Sequence, residues 1–274
     1  MGAPVRHQLQ AGFVLHQRAY RDSSLIVDFF TASHGRISVV ARGVRKPKSR
    51  LAPLLQPFQP LLLSWVARGE LGTMTAVESG GIPLMLNRRV LISGFYLNEL
   101  LVRLLHRYDP HTELYHAYLA VLQQLADLEH ALSSLTSVNE QVALRRFEKQ
   151  LLHELGYGLL LDHDVESGEP ISDDALYHYH LEQGPVLFSD NPAVRLRTYH
   201  SQQRQSDLIR IHGSSLIDLR HGNFRDSDSL REGKRLMRAA LGVHLGSKPL
   251  QSRAMFNQLQ PPVLVKHHPE TGYR

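Results

Sequence analysis

The hydrophobic pattern of this 274-residue chain changes at Gly80-Gly81, and this change limits the fold more than any other feature. Before the two glycines, short apolar and β-branched runs alternate with turn residues, as is typical of β-strands. After them, apolar residues recur every three or four positions, as is typical of helices packed on a core. Strands are predicted at residues 11–17, 24–31, 36–42, 58–66 and 71–78. The sequence therefore predicts an α+β protein whose strands come first.

The third predicted strand alternates strictly between apolar and polar positions. Ile37 and Val39 point to one side, whereas Arg36 and Arg42 point to the other. Five such strands within the first 80 residues, interrupted by one long loop at 43–56, predict a small closed or half-open barrel. An OB-fold barrel is the first choice, and an SH3-like barrel is the alternative.

The remainder of the chain is predicted to be mainly helical. Helices are expected at residues 87–108, 112–128, 137–155, 202–210, 229–245 and 252–259. A capping box at Ser137-Val138-Asn139-Glu140 opens the third helix and Gly156 ends it. An irregular segment with a hairpin is expected at 157–190. We expect an OB-fold domain at 1–80, a helical domain at 81–260 and a flexible tail at 261–274.

The positive charge of the chain is confined to its N-terminal part. Residues 1–80 carry ten Lys or Arg against four Asp or Glu, a net charge of +6, whereas the rest carries 21 against 22, a net charge of −1. Charge this localised indicates a polyanionic partner that binds the predicted barrel.

A basic stretch at 36–50 is the strongest binding signal in the barrel, because it contains six cations and no acid. Gly43 and Pro47 interrupt regular structure there, so the last four cations are expected on a flexible loop. A barrel face beside a cationic loop is how OB-folds hold single strands. The candidate DNA-binding residues are Arg18, Arg21, Arg36, Arg42, Arg45, Lys46, Lys48 and Arg50. Tyr20 and Phe58 are the candidates for stacking on bases.

Signatures of enzyme chemistry are few. The chain has no cysteine, which excludes disulfides, thiolate metal sites and a cysteine nucleophile. The densest histidine group is His163, His178 and His180, which with a neighbouring Asp has ligand types that suit zinc. A half-exposed strand of alternating Tyr and His is the favoured interpretation, and no metal or other cofactor is expected. No apolar run approaches the roughly 20 residues of a membrane span, so we expect a cytoplasmic protein.

Several short stretches, taken in order and spacing, resemble the RecO family of bacterial recombination mediators. They lie at residues 12–16, 22–27, 35–36, 41–45, 55–58, 96–101, 144–148, 155–157 and 248–253. The resemblance implies an N-terminal OB-fold followed by a helical domain, with no enzymatic activity. It also implies binding to single- and double-stranded DNA, annealing of complementary strands and a place on the bacterial nucleoid.

The resemblance also implies protein partners: RecR, the acidic, Phe-ended tail of single-strand-binding protein and, indirectly, RecA recombinase. Arg145, Arg146 and Lys149 are predicted to form part of the tail site, because three- and four-residue spacings make them neighbours on one helix. Many relatives carry four cysteines as a zinc site after the stretch at 155–157. This chain resembles the zinc-free branch, so packing alone is expected to hold residues 157–190.

Two other classes of function stay open at the level of sequence. A general OB-fold RNA-binding protein would prefer RNA and would not affect the pairing of complementary strands. A hydrolase that uses the histidines would show turnover that depends on a metal ion. The sequence favours a DNA-binding recombination mediator over both.

Overall fold

The structure, a computed structural model, describes residues 4–67, 69–130, 136–189 and 208–259. It has the predicted α+β class: a closed barrel of five strands, followed by helices and a small three-stranded sheet. Within these ranges no helix is both long and apolar enough to cross a membrane.

The barrel has OB-fold topology, as predicted. Its strands are β1 (Val5–Tyr20), β2 (Ser24–Thr31), β3 (Gly35–Ala41), β4 (Leu61–Ala67) and β5 (Leu71–Ser79). The strand order is β1-β2-β3-β5-β4, and β4 closes the barrel by pairing with β1. Only the β3–β5 pair is parallel among these strand pairs. The SH3-like alternative is therefore set aside.

The inward side chains of the barrel form their own core. Ile37 and Val39 of β3 lie there with Trp65 of β4, all fully buried, which confirms the predicted alternation. Val44 and Leu55, at the two ends of the loop after β3, are buried in the same core. Apolar side chains therefore anchor both ends of the loop on the barrel, and the flexibility expected of the cations between them stays a prediction.

Six helices and three strands follow the barrel in the described part of the chain. The helices are α1 (Arg88–Leu104), α2 (Thr112–His130), α3 (Thr136–Glu154), α4 (Gly213–His221), α5 (Ser227–Leu245) and α6 (Gln251–Leu259). The strands are β6 (Leu176–His180), β7 (Gly184–Leu187) and β8 (Leu208–His212), in the order β7-β6-β8. The predicted hairpin within 157–190 is the β6–β7 pair. The expected tail at 261–274 lies outside the described residues.

Two local predictions in the helical part were wrong. Residues 208–210, predicted as helix, belong to β8, which pairs with β6, and the rest of that prediction lies outside the described residues. The capping box does not form, because Ser137 already lies inside α3 and the buried Glu140 accepts a hydrogen bond from Ser93 Oγ at 2.5 Å. Tertiary contacts decide both outcomes. The predicted stop is confirmed, since Gly156 has a φ of +81° just after the helix.

The helices attach to the barrel at an irregularity in β1, where the register shifts between Val14 and His16. Asn98 of α1 donates its side-chain amide to the carbonyl oxygens of Val14 and Leu15, at 3.3 and 3.1 Å. The hydroxyl of Tyr118 on α2 donates to the Asn98 Oδ1. The bulge therefore leaves polar groups that the helices satisfy, which fixes α1 and α2 against the barrel.

One buried carboxylate helps to hold the segment after α3, so packing is not the only interaction there, contrary to the expectation. Asp164 is 3% exposed and accepts hydrogen bonds from the backbone N–H groups of Glu166 and Ser167, each at 2.8 Å, and of Leu187 at 2.5 Å. It thereby ties the turn at 164–168 to β7. Burial opposes ionisation, but the three backbone donors outweigh it and hold the pKa of Asp164 below its ordinary value of 3.8.

We predict that Asp164→Asn lowers the free energy of unfolding by about 1–3 kcal/mol at pH 7, because the amide cannot accept all three bonds with a full charge. The folded-state pKa is lowered, so the ionised carboxylate stabilises the protein above pH 4. This advantage over the variant should shrink as the pH falls from about 5 through the folded-state pKa.

The measurement is urea unfolding of both proteins between pH 7 and pH 3.5. Asp174→Asn is the matched control, because Asp174 is an exposed carboxylate in the same segment. A loss of stability that is equal for the two variants, or that does not change with pH, would contradict this role of Asp164.

Candidate nucleic-acid interface

Strand register places candidate residues on the outer face of the barrel. Arg18 of β1 pairs with Ile26 of β2, which pairs with Val40 of β3, and Val40 pairs with Thr73 of β5. Residues paired in this way point to the same side of a sheet. Arg42 follows Val40 by two positions and is exposed. Arg18 therefore lies on the outer face of β1–β3, and the exposed Arg42 lies just past the end of β3 beside Val40.

An open cavity of about 550 Å³ lies at the end of this face. Its walls come from the β1–β2 turn, the end of β3, the loop after it and the start of β5. Arg21, Arg42 and Lys46 supply one cation from each of the first three segments. The Tyr20 ring also lines the cavity, and the Arg21 guanidinium lies 5.1 Å from the centre of that ring. The structure thus brings three predicted cations and one predicted stacking residue together.

The remaining loop cations extend this surface. Arg45 donates to the backbone carbonyl of Arg21 at 3.2 Å, which holds it beside the β1–β2 turn. Lys48 and Arg50 are exposed further along the loop. We name the whole set the cationic face: Arg18, Arg21, Arg42, Arg45, Lys46, Lys48 and Arg50. None of its side chains pairs with a carboxylate of the described residues. Its positive charge is therefore available to an external anion.

Arg36 is a correction to the predicted set, because its side chain is 15% exposed and already bound. Its guanidinium donates to the carbonyl oxygens of Val102 and of Leu105, the latter at 3.3 Å, and lies 3.9 Å from Asp28. The two carbonyls belong to the C-terminal end of α1, where a cation is favourable. Arg36 therefore joins the barrel to α1 and does not belong to the cationic face.

Phe58 is a second correction. Its side chain is 4% exposed, and its ring centre lies 5.4 Å from that of Phe95 on α1. It packs in the core and is not available to stack on a base. Of the two predicted stacking residues, only Tyr20 lies beside the cations. A surface with several cations and little aromatic surface favours contacts to the backbone of a nucleic acid over base readout.

The three cations predicted to share one surface on α3 do not do so. Arg145 is 5% exposed and forms an ion pair with Glu148. Arg146 donates to the Gly222 carbonyl and to Asn223 Oδ1, both at 2.7 Å, and Lys149 donates to the carbonyls at the end of α4. Arg146 and Lys149 therefore satisfy the C-terminus of α4, where positive charge is favourable, and only Arg145 points elsewhere.

Arg145 lines a cavity of about 270 Å³ between α1, α3, α5 and α6. Apolar surface comes from Tyr96, Leu144 and Phe256, and further positive charge comes from Arg238 and Arg253. We name this cavity with these six residues the tail pocket. Sequence reasoning missed Arg238 and Arg253, because they lie more than 90 positions after Arg145 and no local pattern links them. The stretch at 248–253 that resembles the RecO family was the available signal.

Two carboxylates on the wall of the tail pocket are already engaged. Glu148 accepts a hydrogen bond from the Tyr96 hydroxyl at 2.6 Å and pairs with Arg145. Burial and the nearby Glu148 charge raise the pKa of Tyr96, which keeps its hydroxyl protonated as a donor. Glu140 is buried against Ser93. The exposed Arg238 and the half-buried Arg253 face the pocket without an ion-pair partner among the described residues.

The histidine cluster does not assemble into a metal site. His163 pairs with Asp162 at 2.8 Å, whereas the His178 ring lies edge-on to Phe188. His180 is buried, and this burial lowers its pKa. In the ranges that the structure covers, no group of three or more His, Cys, Asp or Glu residues is arranged to hold a metal ion.

The fold and this surface define a class: an OB-fold protein with a cationic outer face, joined to a helical domain. Comparison with known proteins narrows the class to a family. The pattern described as Recombination protein O N terminal matches residues 6–81, and that described as Recombination protein O C terminal matches residues 86–254.

Full-length relatives agree with these matches, and three of them are named DNA repair protein RecO. The chain is 41% identical to that of Nitrosospira multiformis, over 93% of this chain and 97% of the relative. It is 41% identical to that of Methylococcus capsulatus, over 93% and 95%. It is 43% identical to that of Alkalilimnicola ehrlichii, over 92% and 91%. The chain belongs to the RecO family of DNA repair proteins.

We predict that Arg36 and Arg42 separate stability from binding. Arg36→Ala should lower the free energy of unfolding by about 1–3 kcal/mol, because it removes charged hydrogen bonds to the end of α1. Arg42→Ala should change it by less than about 0.5 kcal/mol, because Arg42 is exposed. Urea unfolding of both variants is the measurement, and equal stability of the two would contradict the placement of Arg36.

Proposed function

We propose that the cationic face binds single- and double-stranded DNA and that the protein promotes annealing of complementary single strands. The observation that carries this proposal is the cluster of exposed cations around one cavity on the OB-fold, none of them neutralised by a carboxylate of the described residues. Membership of a DNA repair family supports DNA as the polyanion. Lys and Arg that contact phosphates release condensed counterions, which drives binding without sequence preference.

Annealing by this mechanism needs no bond chemistry, so we propose a binding protein without enzymatic activity. Two single strands repel each other through their phosphates, and this repulsion slows their encounter. Cations that neutralise part of the charge of both strands reduce the repulsion. Base pairing then supplies the free energy of the duplex. The exposed loop cations beside the barrel favour this role because they offer charge to more than one strand.

We further propose that the tail pocket binds the C-terminal tail of single-strand-binding protein. That tail is acidic and ends in Phe, so it needs an apolar wall for the ring and cations for the carboxylates. Leu144 and Phe256 supply the wall, and Arg238 and Arg253 supply the charge. Charge-assisted contacts to a terminal carboxylate are among the stronger hydrogen bonds in proteins. The proposed site therefore keeps Arg145 of the predicted set and leaves out Arg146 and Lys149.

Together the two sites describe a recombination mediator. The tail pocket would anchor the protein on DNA covered by single-strand-binding protein, and the cationic face would hold the DNA strand itself. Anchoring raises the local concentration of the second site around its ligand. With RecR as a partner, this arrangement would expose single strands to RecA in the bacterial nucleoid. The cytoplasmic location follows from the same role.

We predict that the double variant Arg42→Ala, Lys46→Ala loses much of the annealing activity and binds single-stranded DNA more weakly. The slope of log affinity against log salt should flatten by roughly 1.4, because each lost phosphate contact on a single strand contributes about 0.7. The measurement is fluorescence anisotropy over a salt series, with strand annealing followed by energy transfer between labelled oligonucleotides.

The matched control is Arg220→Ala, Arg231→Ala, which removes two exposed cations from α4 and α5. An unchanged salt slope in the Arg42, Lys46 variant would remove the cationic face from the binding site. Annealing is measured with EDTA and with RNA strands as well. Loss of activity in EDTA would favour metal-dependent chemistry, and a preference for RNA without annealing would favour a general RNA-binding protein.

For the tail pocket, we predict that Arg238→Glu weakens binding of a labelled acidic peptide ending in Phe by about tenfold or more, because it replaces attraction by repulsion. Binding to naked DNA should not change. Arg146→Ala should leave peptide affinity unchanged, although it loses hydrogen bonds to α4. The measurement is peptide anisotropy. If Arg146→Ala weakens binding and Arg238→Glu does not, the tail site lies on the other side of α3.

A further inference from the structure

A second cavity of about 370 Å³ lies beside the tail pocket along the same two helices. Gln141 of α3 and Lys234 of α5 line both cavities, and Lys234 Nζ donates to Gln141 Oε1 at 3.3 Å. Because both side chains line both cavities, this contact lies on the boundary between them, and we name it the Gln141–Lys234 bridge. The two cavities are therefore two compartments of one groove between α3 and α5.

The second compartment has an apolar floor. Val138 at its rim is 40% exposed, and Leu230 is 4% exposed. The ring of Phe224 packs against α5 at Gly233. A Cβ added at Gly233 would meet the Phe224 ring at 2.7 Å, so the absence of a side chain at Gly233 allows the ring to pack closely against α5. An apolar side chain that enters from solvent would bury surface on Val138 and Phe224, which is favourable.

The two Arg residues that line the second compartment are already paired with carboxylates, unlike Arg238 and Arg253 of the tail pocket. Arg225 is bound by Asp173 and Asp218, and Arg231 pairs with Asp228 at 3.0 Å. Asp226 accepts hydrogen bonds from the first backbone N–H groups of α5. Neither of the two Arg residues that line this compartment is left unpaired to bind an acidic side chain. The compartment therefore suits an apolar residue of a peptide whose carboxylates lie toward Arg238.

The distance between the compartments sets the spacing of the peptide. Val138 and Arg145 are seven residues apart on α3, and Arg231 and Arg238 are seven apart on α5. At 1.5 Å per residue of helix, each separation is about 10 Å. An extended peptide advances about 3.3–3.6 Å per residue, so about three residues cover this distance.

We propose that the groove binds an acidic peptide through two apolar anchors: a C-terminal Phe in the tail pocket and a second apolar side chain, about three positions earlier, in the compartment of Val138, Phe224 and Leu230. This inference rests on the proposed tail pocket and adds a determinant of peptide choice. The peptide backbone crosses the Gln141–Lys234 bridge. Affinity then depends on the position of the second anchor as well as on net charge.

The test uses three labelled nine-residue peptides with the same net charge, all ending in Phe. The first has Ile three positions before the Phe, the second has Ala there, and the third has Ile moved next to the Phe, where it cannot reach the second compartment. We expect the first to bind roughly three- to tenfold more tightly than the second or third, as burial of a few methylene groups provides. Val138→Ser should remove this difference and leave the affinity of the Ala peptide unchanged.

Val243→Ser is the matched control, because Val243 is an apolar residue of α5 that is 54% exposed and lines neither compartment. Circular dichroism of both variants checks that they fold. Equal affinity of the three peptides, with Arg238→Glu still weakening all of them, would overturn the two-anchor inference and leave the tail pocket intact. Binding that no Arg238 variant changes would overturn both.

Discussion

The amide of Asn98 is the contact on which the relation between barrel and helices depends. It satisfies two carbonyls that the bulge in β1 leaves without strand partners, and Tyr118 orients it from α2. A buried carbonyl without a donor is costly, so the Asn98 amide of α1 stabilises the bulge. Phe13 and Phe30 pack their rings near Tyr118 on the same side of the barrel. Burial raises the pKa of Tyr118, which therefore stays a neutral donor.

Helix α1 contacts the rest of the helical part as well as the barrel. Its Glu99 accepts hydrogen bonds from the backbone of Gln251 and Ser252 at the start of α6. Its Arg103 donates to the carbonyl of Leu245, the last residue of α5, and to that of Lys248. Negative charge at a helix start and positive charge at a helix end are both favourable. One helix therefore fixes the barrel on one side and the walls of the tail pocket on the other. The cationic face and the tail pocket hold their relative position through α1.

The sequence predicted the barrel well because its pattern is local, and the charged sites less well because their partners are distant. The strand at 24–31 follows from an apolar, β-branched run after a polar turn, and the inward side of β3 follows from alternation. Arg36 and Arg42 occupy equivalent positions in that pattern. Their roles differ because Arg36 is bound by the C-terminal end of α1, which lies more than 60 residues later in the sequence, whereas Arg42 is exposed. The same holds for α3, where Arg145 meets Glu148 within one turn but Arg146 meets α4 from across the fold. Local spacing shows which cations are neighbours and not which are already bound.

The two proposed sites differ in the forces they use, and this difference suits a mediator. Binding at the cationic face would rest on counterion release, so its strength would fall steeply as salt rises. Binding in the tail pocket would combine charge with burial of an aromatic ring, and apolar burial does not weaken with salt. At intermediate salt the protein would therefore stay anchored by the peptide while its contacts with DNA form and break. An annealing factor needs this behaviour, because a face that never releases its strand would block the pairing of complementary bases.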